Sequence, residues 1–445
     1  MNDTHRRTDR RGWLGMTIAA TLALTACLPE GVQVPQDPLL SAIARKSGRI
    51  IYLGADGNVY TMDQAGGDEQ QITTDAVLTG EGTQRYYDYP AWAPDGNRVA
   101  FVGIEVESGQ PQATLYTAGR DGKELVEAFA TPGQVPFYLY WAPDSRQVSF
   151  LTSTSGSSDL LLKVVPAGGG EAQTLDAGQP YYWHWSPDSK RVLVHVGGAA
   201  VNAGARMSVL GLEDGVSESG LDHKPTYFQS PAWSPDGRQA LLAAETDGGE
   251  RALILTDASG AQQAQLATFE GGIAFGWAPG GEHVAYISGE VQTLGTVGEL
   301  TIFNPTTPSE IRTVEQERVV AFFWAPDGKQ LAYFMPEIVS PTPEPGQEAS
   351  ADNRFLILHL FVADAADGKS HRVADFLPTR DFYNLLPYFD QYQHSATIWS
   401  PDSKNLVLSA FGGQNGTPGI FVVHSSGNLE PRFLKTGTLG LWSPK

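Results

Sequence analysis

Along most of this 445-residue chain, short apolar runs alternate with turn-forming residues at close intervals. The runs at 99–102, 148–151, 192–194, 284–287 and 331–334 each follow a Trp-Ala/Ser-Pro-Asp-Gly/Ser motif or a close variant of it. A further apolar or aromatic run, such as Phe137-Tyr138-Leu139-Tyr140, leads into the motif. Proline presets φ at about −65° for the first central turn position, aspartate bonds its own backbone, and glycine or serine accepts the closing geometry. Run, turn and run together predict a β-hairpin. A second hairpin recurs between the motifs, at 59–62 with Gly66-Gly67, 115–117 with Asp121-Gly122, 253–256 with Ser259-Gly260, and 421–423 with Ser426-Gly427. Less regular copies lie near 168–170, Asp214-Gly215, Asn304-Pro305 and Asp367-Gly368.

Eight of the ten tryptophans open the first motif: Trp92, Trp141, Trp185, Trp233, Trp277, Trp324, Trp399 and Trp442. Successive copies lie 49, 44, 48, 44, 47, 75 and 43 residues apart. A blade of four short strands takes roughly 40–50 residues. The repeat therefore predicts an all-β chain folded as a single β-propeller, with an insertion in the long interval. Tryptophan suits that fold because a large ring fills the wedge between sheets packed face to face. The repeats open at Arg49-Ile50-Ile51-Tyr52-Leu53 with no motif before them, and end at Leu439-Gly440-Leu441-Trp442-Ser443-Pro444 with no strand after. The tail is expected to supply the first strand of the opening blade, which joins the ends of the ring and leaves no bare sheet edge. Eight blades result; seven, with the tail packed elsewhere, is the alternative.

The repeated signature resembles that of the TolB-type propeller family. The resemblance implies the fold and leaves function open, because related propellers serve as transport accessories, peptidase domains and sensors. The namesake carries an α/β domain ahead of its propeller. Here only about 20 residues separate Cys27 from the first strand, so a role in the Tol–Pal system is not expected.

Residues 1–26 have the layout of an export signal. Arg6, Arg7, Arg10 and Arg11 form a positive start, and the apolar stretch 13–26 is too short to span a bilayer, which takes roughly 20 residues. Leu24-Thr25-Ala26-Cys27 resembles the bacterial lipobox, which implies cleavage before Cys27 and a lipid on it. Arg10-Arg11 before Trp13-Leu14 also resembles a twin-arginine signal. The expected organisation is a signal peptide at 1–26, a tether at 27–46 and a propeller at 47–445. The protein is expected to be exported and held on the membrane by its lipid, facing the periplasm or the exterior. Cys27 is the one cysteine, so no disulfide within the chain is expected and stability must come from burial.

Net charge is −20, and removal of four arginines and two aspartates with 1–26 takes it to near −22. Nucleic acid and anionic lipid surfaces both require basic patches, so neither is expected as a partner. The sequence holds no Gly-x-Ser-x-Gly, His-Glu-x-x-His or Cys-x-x-Cys string, and no calcium-loop pattern. No catalytic residue, metal or cofactor is therefore assigned. Asp364 to Gly368 reads as a hairpin turn. The motif aspartates Asp95, Asp144, Asp188, Asp236, Asp327 and Asp402 read as turn caps rather than a cation-binding crown; Gly280 replaces the aspartate after Trp277.

The strand entrances are rich in aromatic residues, and propeller connectivity puts them on one side with the insertion. The candidate binding set is Tyr86, Tyr87, Asp88, Tyr138, Tyr181, Tyr182, His184, Tyr227, Phe228, Tyr388, Asp390, Tyr392 and His394. The insertion has two parts, a loop at 336–353 and the segment 382–394. His184, between two tryptophans, reads as packed rather than as a base. Aromatic rings with interspersed polar groups suit a protein, peptide or glycan. The function expected is a monomeric, non-enzymatic binding module at the cell envelope. The alternatives are a saccharide lyase or hydrolase using Asp88, Asp390, His184 and His394, and a purely structural envelope scaffold.

Overall fold

A computed structural model of the chain describes residues 48–79, 82–153, 158–197, 204–226, 228–308, 310–340, 354–412 and 416–445. The signal sequence, Cys27, Tyr227 and residues 341–353 lie outside them. The described structure is all-β but for short helical turns, and its sheets are antiparallel. Four sheets have four strands each and one has five; a sixth runs through ten strands. In the typical case neighbours in the sheet are neighbours in sequence, as in Gly272–Trp277, Val284–Gln292, Gly295–Phe303 and Ile311–Val319.

The tryptophan motif sets the register of each sheet. Trp92 pairs with Val99, Trp141 with Val148, Trp185 with Val192, Trp233 with Ala240, Trp277 with Val284, Trp324 with Leu331 and Trp399 with Leu406. The partner always lies seven positions on, because each motif closes the same tight turn. All six motif aspartates accept a hydrogen bond on Oδ1 from the amide two residues ahead, at 2.9–3.2 Å. The residue after the aspartate must take positive φ. Glycine does so freely at Gly96, Gly237 and Gly328, with φ between 68° and 70°. Ser145, Ser189 and Ser403 do so at φ 60–62°, a conformation that disfavours any side chain. Each of these serines accepts a hydrogen bond on Oγ from a neighbouring motif: from the amides of Asp95, Asp144 and Asp327, at 3.0–3.1 Å. The strained serine thus ties adjacent sheets together.

The indoles make a second link between sheets. Trp92 donates from Nε1 to the carbonyl of Leu441, Trp141 to Ala91, Trp277 to Ala232, Trp324 to Gly276 and Trp399 to Phe323, at 2.9–3.4 Å. For Trp141, Trp277, Trp324 and Trp399 the acceptor is the residue just before the preceding motif tryptophan, and for Trp92 it is the residue just before Trp442. Trp185 reaches the equivalent carbonyl through a hydroxyl: its Nε1 donates to Ser149 Oγ at 2.9 Å, and Ser149 donates to Tyr140 O at 2.7 Å. Trp233 departs from the pattern. Its Nε1 has no partner among the described residues, while its backbone amide donates to His184 Nδ1 at 2.9 Å.

The C-terminal strand Arg432–Trp442 serves two neighbours. Its first half pairs with Pro418–His424, and its second half with the opening strand Arg49–Gly54, placing Trp442 opposite Ile50 and Leu441 opposite Ile51. Ile50, Ile51 and Trp442 are each 0% exposed. The loop expected from 336 begins later than the sequence implies. The strand Gln330–Val339 continues through Pro336, which pairs with Leu358 of Phe355–Asp364, because extended backbone accepts proline where no amide hydrogen bond is needed.

Candidate binding site

Three short helical turns follow the strand Ser370–Pro378: Arg380–Tyr383, Leu386–Tyr388 and Phe389–Tyr392. Thr379 starts them. Its Oγ1 accepts from the amide of Phe382 at 3.2 Å and donates to the carbonyl of Thr438 at 2.6 Å. From there the segment meets the leading strands of one sheet after another. Tyr138 donates to the Gln391 carbonyl at 2.7 Å, and Gln391 Nε2 donates back to the Tyr138 hydroxyl at 2.7 Å. Gln391 Oε1 accepts from the amide of Trp183 at 2.9 Å, and its Nε2 donates to the Trp183 carbonyl at 2.8 Å. Asp390 accepts from the amide of Ser230 at 2.7 Å, Gln393 donates to Phe275 O at 3.3 Å, and the Phe389 ring meets Phe322 edge-on at 5.0 Å. Two glycines make room for it. A Cβ on Gly276 would lie 2.7 Å from Gln393 Oε1, and one on Gly295 2.7 Å from Pro387 O. The segment is a plug on which the leading strands converge.

Three cavities surround the plug. The largest, about 620 Å³, lies at the strand entrances, and Asp88, Tyr138, Tyr181, Tyr182, Phe228, Tyr388 and Tyr392 of the candidate set line it. A second, about 310 Å³, holds Asp390 and shares Tyr182, Phe228 and Tyr388. A third, about 400 Å³, holds His184 and His394 among the motif prolines Pro187, Pro235, Pro279 and Pro326. The four residues named for an acid–base cluster are therefore divided among three cavities. Tyr86 and Tyr87 line none of the three. Tyr86 packs beside the sheet core; Tyr87 is buried, meets Phe101 and Tyr116 edge-on, and donates to Asp75 at 2.5 Å.

Two tyrosines of the large cavity owe their aim to backbone strain. Tyr89 and Tyr138, each three residues before a motif tryptophan, have φ of 53° and 47°. Both sit where the register of the strand shifts, between Asp88 and Ala91 and between Phe137 and Leu139. Such bulges redirect a side chain and collect at functional sites. Tyr138 meets Tyr392 edge-on at 4.6 Å, and Tyr182 lies against Phe228 at 4.1 Å. Tyr388 is the open rim, 52% exposed. Tyr89, Phe137, Asp381, Tyr383 and Asn384 also line the cavity and were not in the candidate set. Tyr89 and Phe137 adjoin chosen residues, so the entrance runs had pointed to them; nothing in the sequence marks Asp381.

Electrostatics separate the three cavities. Burial pushes the Asp88 carboxyl up to about 6, and the like charge of Asp381 acts the same way. Burial also pushes Asp390 up to about 6, against the pull of the amides it accepts from. Burial holds His394 down to about 3 and His184 well below the usual imidazole range. The two rings stack at 4.0 Å as neutral packing partners. Among the described residues, no three His, Cys, Asp or Glu side chains group as a metal site.

Consecutive four-stranded antiparallel meanders are the building unit of the β-propeller class, and four of the described sheets are of that kind. No family model matches the chain. It is similar to the Tol-Pal system protein TolB of Alcanivorax borkumensis, with 27% identity over 101 residues, 23% of this chain and 21% of that protein. The chain thus matches about a fifth of that relative's length. In structure it is similar to a eukaryotic initiation factor, with TM-score 0.51 and 12% identity over 89% of this chain and 98% of the other. It is also similar to the β-propeller domain of the Trilobed protease from Pyrococcus furiosus, with TM-score 0.46 and 12% identity over 80% and 99%. These likenesses concern fold: a distant, TolB-like β-propeller.

Proposed function

We propose that this chain is a non-enzymatic binding module, held at the cell envelope by lipid on Cys27, whose entrance-side cavity takes a protein, peptide or glycan. The observation that carries the reading is the cavity of about 620 Å³, where Asp88, Tyr138, Tyr181, Tyr182, Phe228, Tyr388 and Tyr392 come together from separate strand entrances and the plug. Separation of Asp88, Asp390 and the two histidines into different cavities supports binding over acid–base chemistry. We further infer that the sheets form eight blades in a closed ring. In that reading the ten-stranded sheet contains the last two blades and the first, with Gly437 to Trp442 as the leading strand of the first. Support comes from the pairing of that segment with Arg49–Gly54, and from the Trp92 indole donating to Leu441 in the same pattern as the other links.

The test is affinity capture from solubilised membranes, with the wild-type chain beside a Tyr182→Ala, Tyr392→Ala variant. At least one partner is expected to be lost or strongly reduced with the variant. Equal recovery of every partner would remove this surface from consideration.

A further inference from the structure

The entrance-side cavity sets two carboxylates among aromatic rings and supplies them with little compensation. Asp88 and Asp381 line it beside Tyr89, Tyr138 and Tyr392. Among the described residues, the Asp88 carboxylate accepts one hydrogen bond, from the adjacent Tyr89 amide at 2.7 Å. The Asp381 side chain is 19% exposed, and its ion pair, 3.5 Å to Arg380, is with a guanidinium 86% exposed. A pair so open to water offsets little charge. Arg380 does not line the cavity. The Arg380 charge and the Tyr89 amide both pull the Asp88 proton affinity down, yet burial and the like charge of Asp381 prevail and hold it raised, as for a half-buried carboxylate with no cation in contact.

We propose that this cavity is built for an organic cation: a primary ammonium or guanidinium group on an apolar stem, carried by a lysine or arginine side chain of a peptide or by a free polyamine. The inference rests on the binding-module reading and names its ligand class. A cation between Asp88 and Asp381 supplies the charged partner that Asp88 lacks and that Asp381 has only in a long, water-exposed pair with Arg380. Tyrosine faces attract a cation within about 6 Å of the ring. Leu139, Leu151 and Leu160 offer the apolar wall along which such a stem lies. A neutral sugar brings no counter-charge, and an anionic one meets two like charges. The chain's net charge of −20 draws cations toward it from solution.

Calorimetric titration of the whole chain at neutral pH tests this with four probes: capped Leu-Lys-Leu, capped Leu-Arg-Leu, capped Leu-acetyllysine-Leu, and spermidine. A cationic probe is expected to bind, and acetylation of the lysine to weaken binding by about tenfold or more, as loss of a charged hydrogen bond does. An Asp88→Asn, Asp381→Asn variant should lose that preference. The Tyr182→Ala, Tyr392→Ala variant should weaken charged and acetylated peptides alike. Binding by peptides without spermidine assigns the cation to a peptide, and the reverse assigns it to a free amine; both support the proposal. Equal or tighter binding of the acetylated peptide, still dependent on the tyrosines, overturns the cation while the binding module stands. Failure of every cationic probe to bind also overturns it. If membrane capture is indifferent to the tyrosines as well, the binding module falls too.

Discussion

Ser149 shows how completely single side chains are used in the interior. Its hydroxyl accepts from both Trp183 and Trp185 at 2.9 Å and donates to Tyr140 O, filling the three bonds a serine can make. Asp88 is the opposite case, a carboxylate held without adequate partners. Its folded-state proton affinity lies above the ordinary value of 3.8, at about 6, so the folded chain binds this proton more tightly than the unfolded chain does. Ionisation therefore lowers stability above about pH 6, and the penalty fades as pH falls from there toward 3.8. Asp88→Asn is expected to stabilise the chain by about 1–2 kcal/mol at pH 7.5 and by much less at pH 4. Urea unfolding of both chains at the two pH values checks it; a gain of equal size at both pH values would refute the assignment.

Among the elements, the plug is the most informative. Its helical turns are too short to be stable alone, and they hold their shape because Gln391 satisfies both the amide and the carbonyl of buried Trp183 while bonding Tyr138. Gln391→Ala leaves those backbone groups unpaired away from water, and a loss of about 2–4 kcal/mol is expected. Equilibrium unfolding followed by tryptophan fluorescence measures it, and a change below roughly 0.5 kcal/mol, the size of an ordinary surface substitution, would mean that the plug is not anchored there. The insertion was legible as an interruption of the repeat, rich in aromatic residues. Its depth was not, since nothing local distinguishes Asp390 and Gln391, which are buried, from Tyr388 at the rim.

For the whole molecule, the proposed closure makes a direct prediction. A chain ending at 436 loses one of the two strand partners of Arg49–Gly54, uncovers Ile50 and Ile51, and leaves an unpaired edge. It is expected to lose its cooperative unfolding transition and to be cut rapidly by trypsin in the body of the sheets. Retention of a wild-type melting curve would show that the tail is dispensable and the ring does not depend on it.

The repeated motif already contained the hairpins, their seven-residue register and the number of turns, because these are settled by neighbours a few positions apart. Turn chemistry and alternation act locally, so they can be read along the chain. Which aromatic rings reach the cavity was settled elsewhere. Tyr87 and Tyr138 occupy similar runs, yet one packs within its sheet while the other, turned by a bulge, bonds Gln391 from 253 positions away. That Asp88 and Asp381 line one cavity has the same origin: the plug threads back among strands laid down much earlier, and the approach of such distant residues depends on the packing of all the sheets between them.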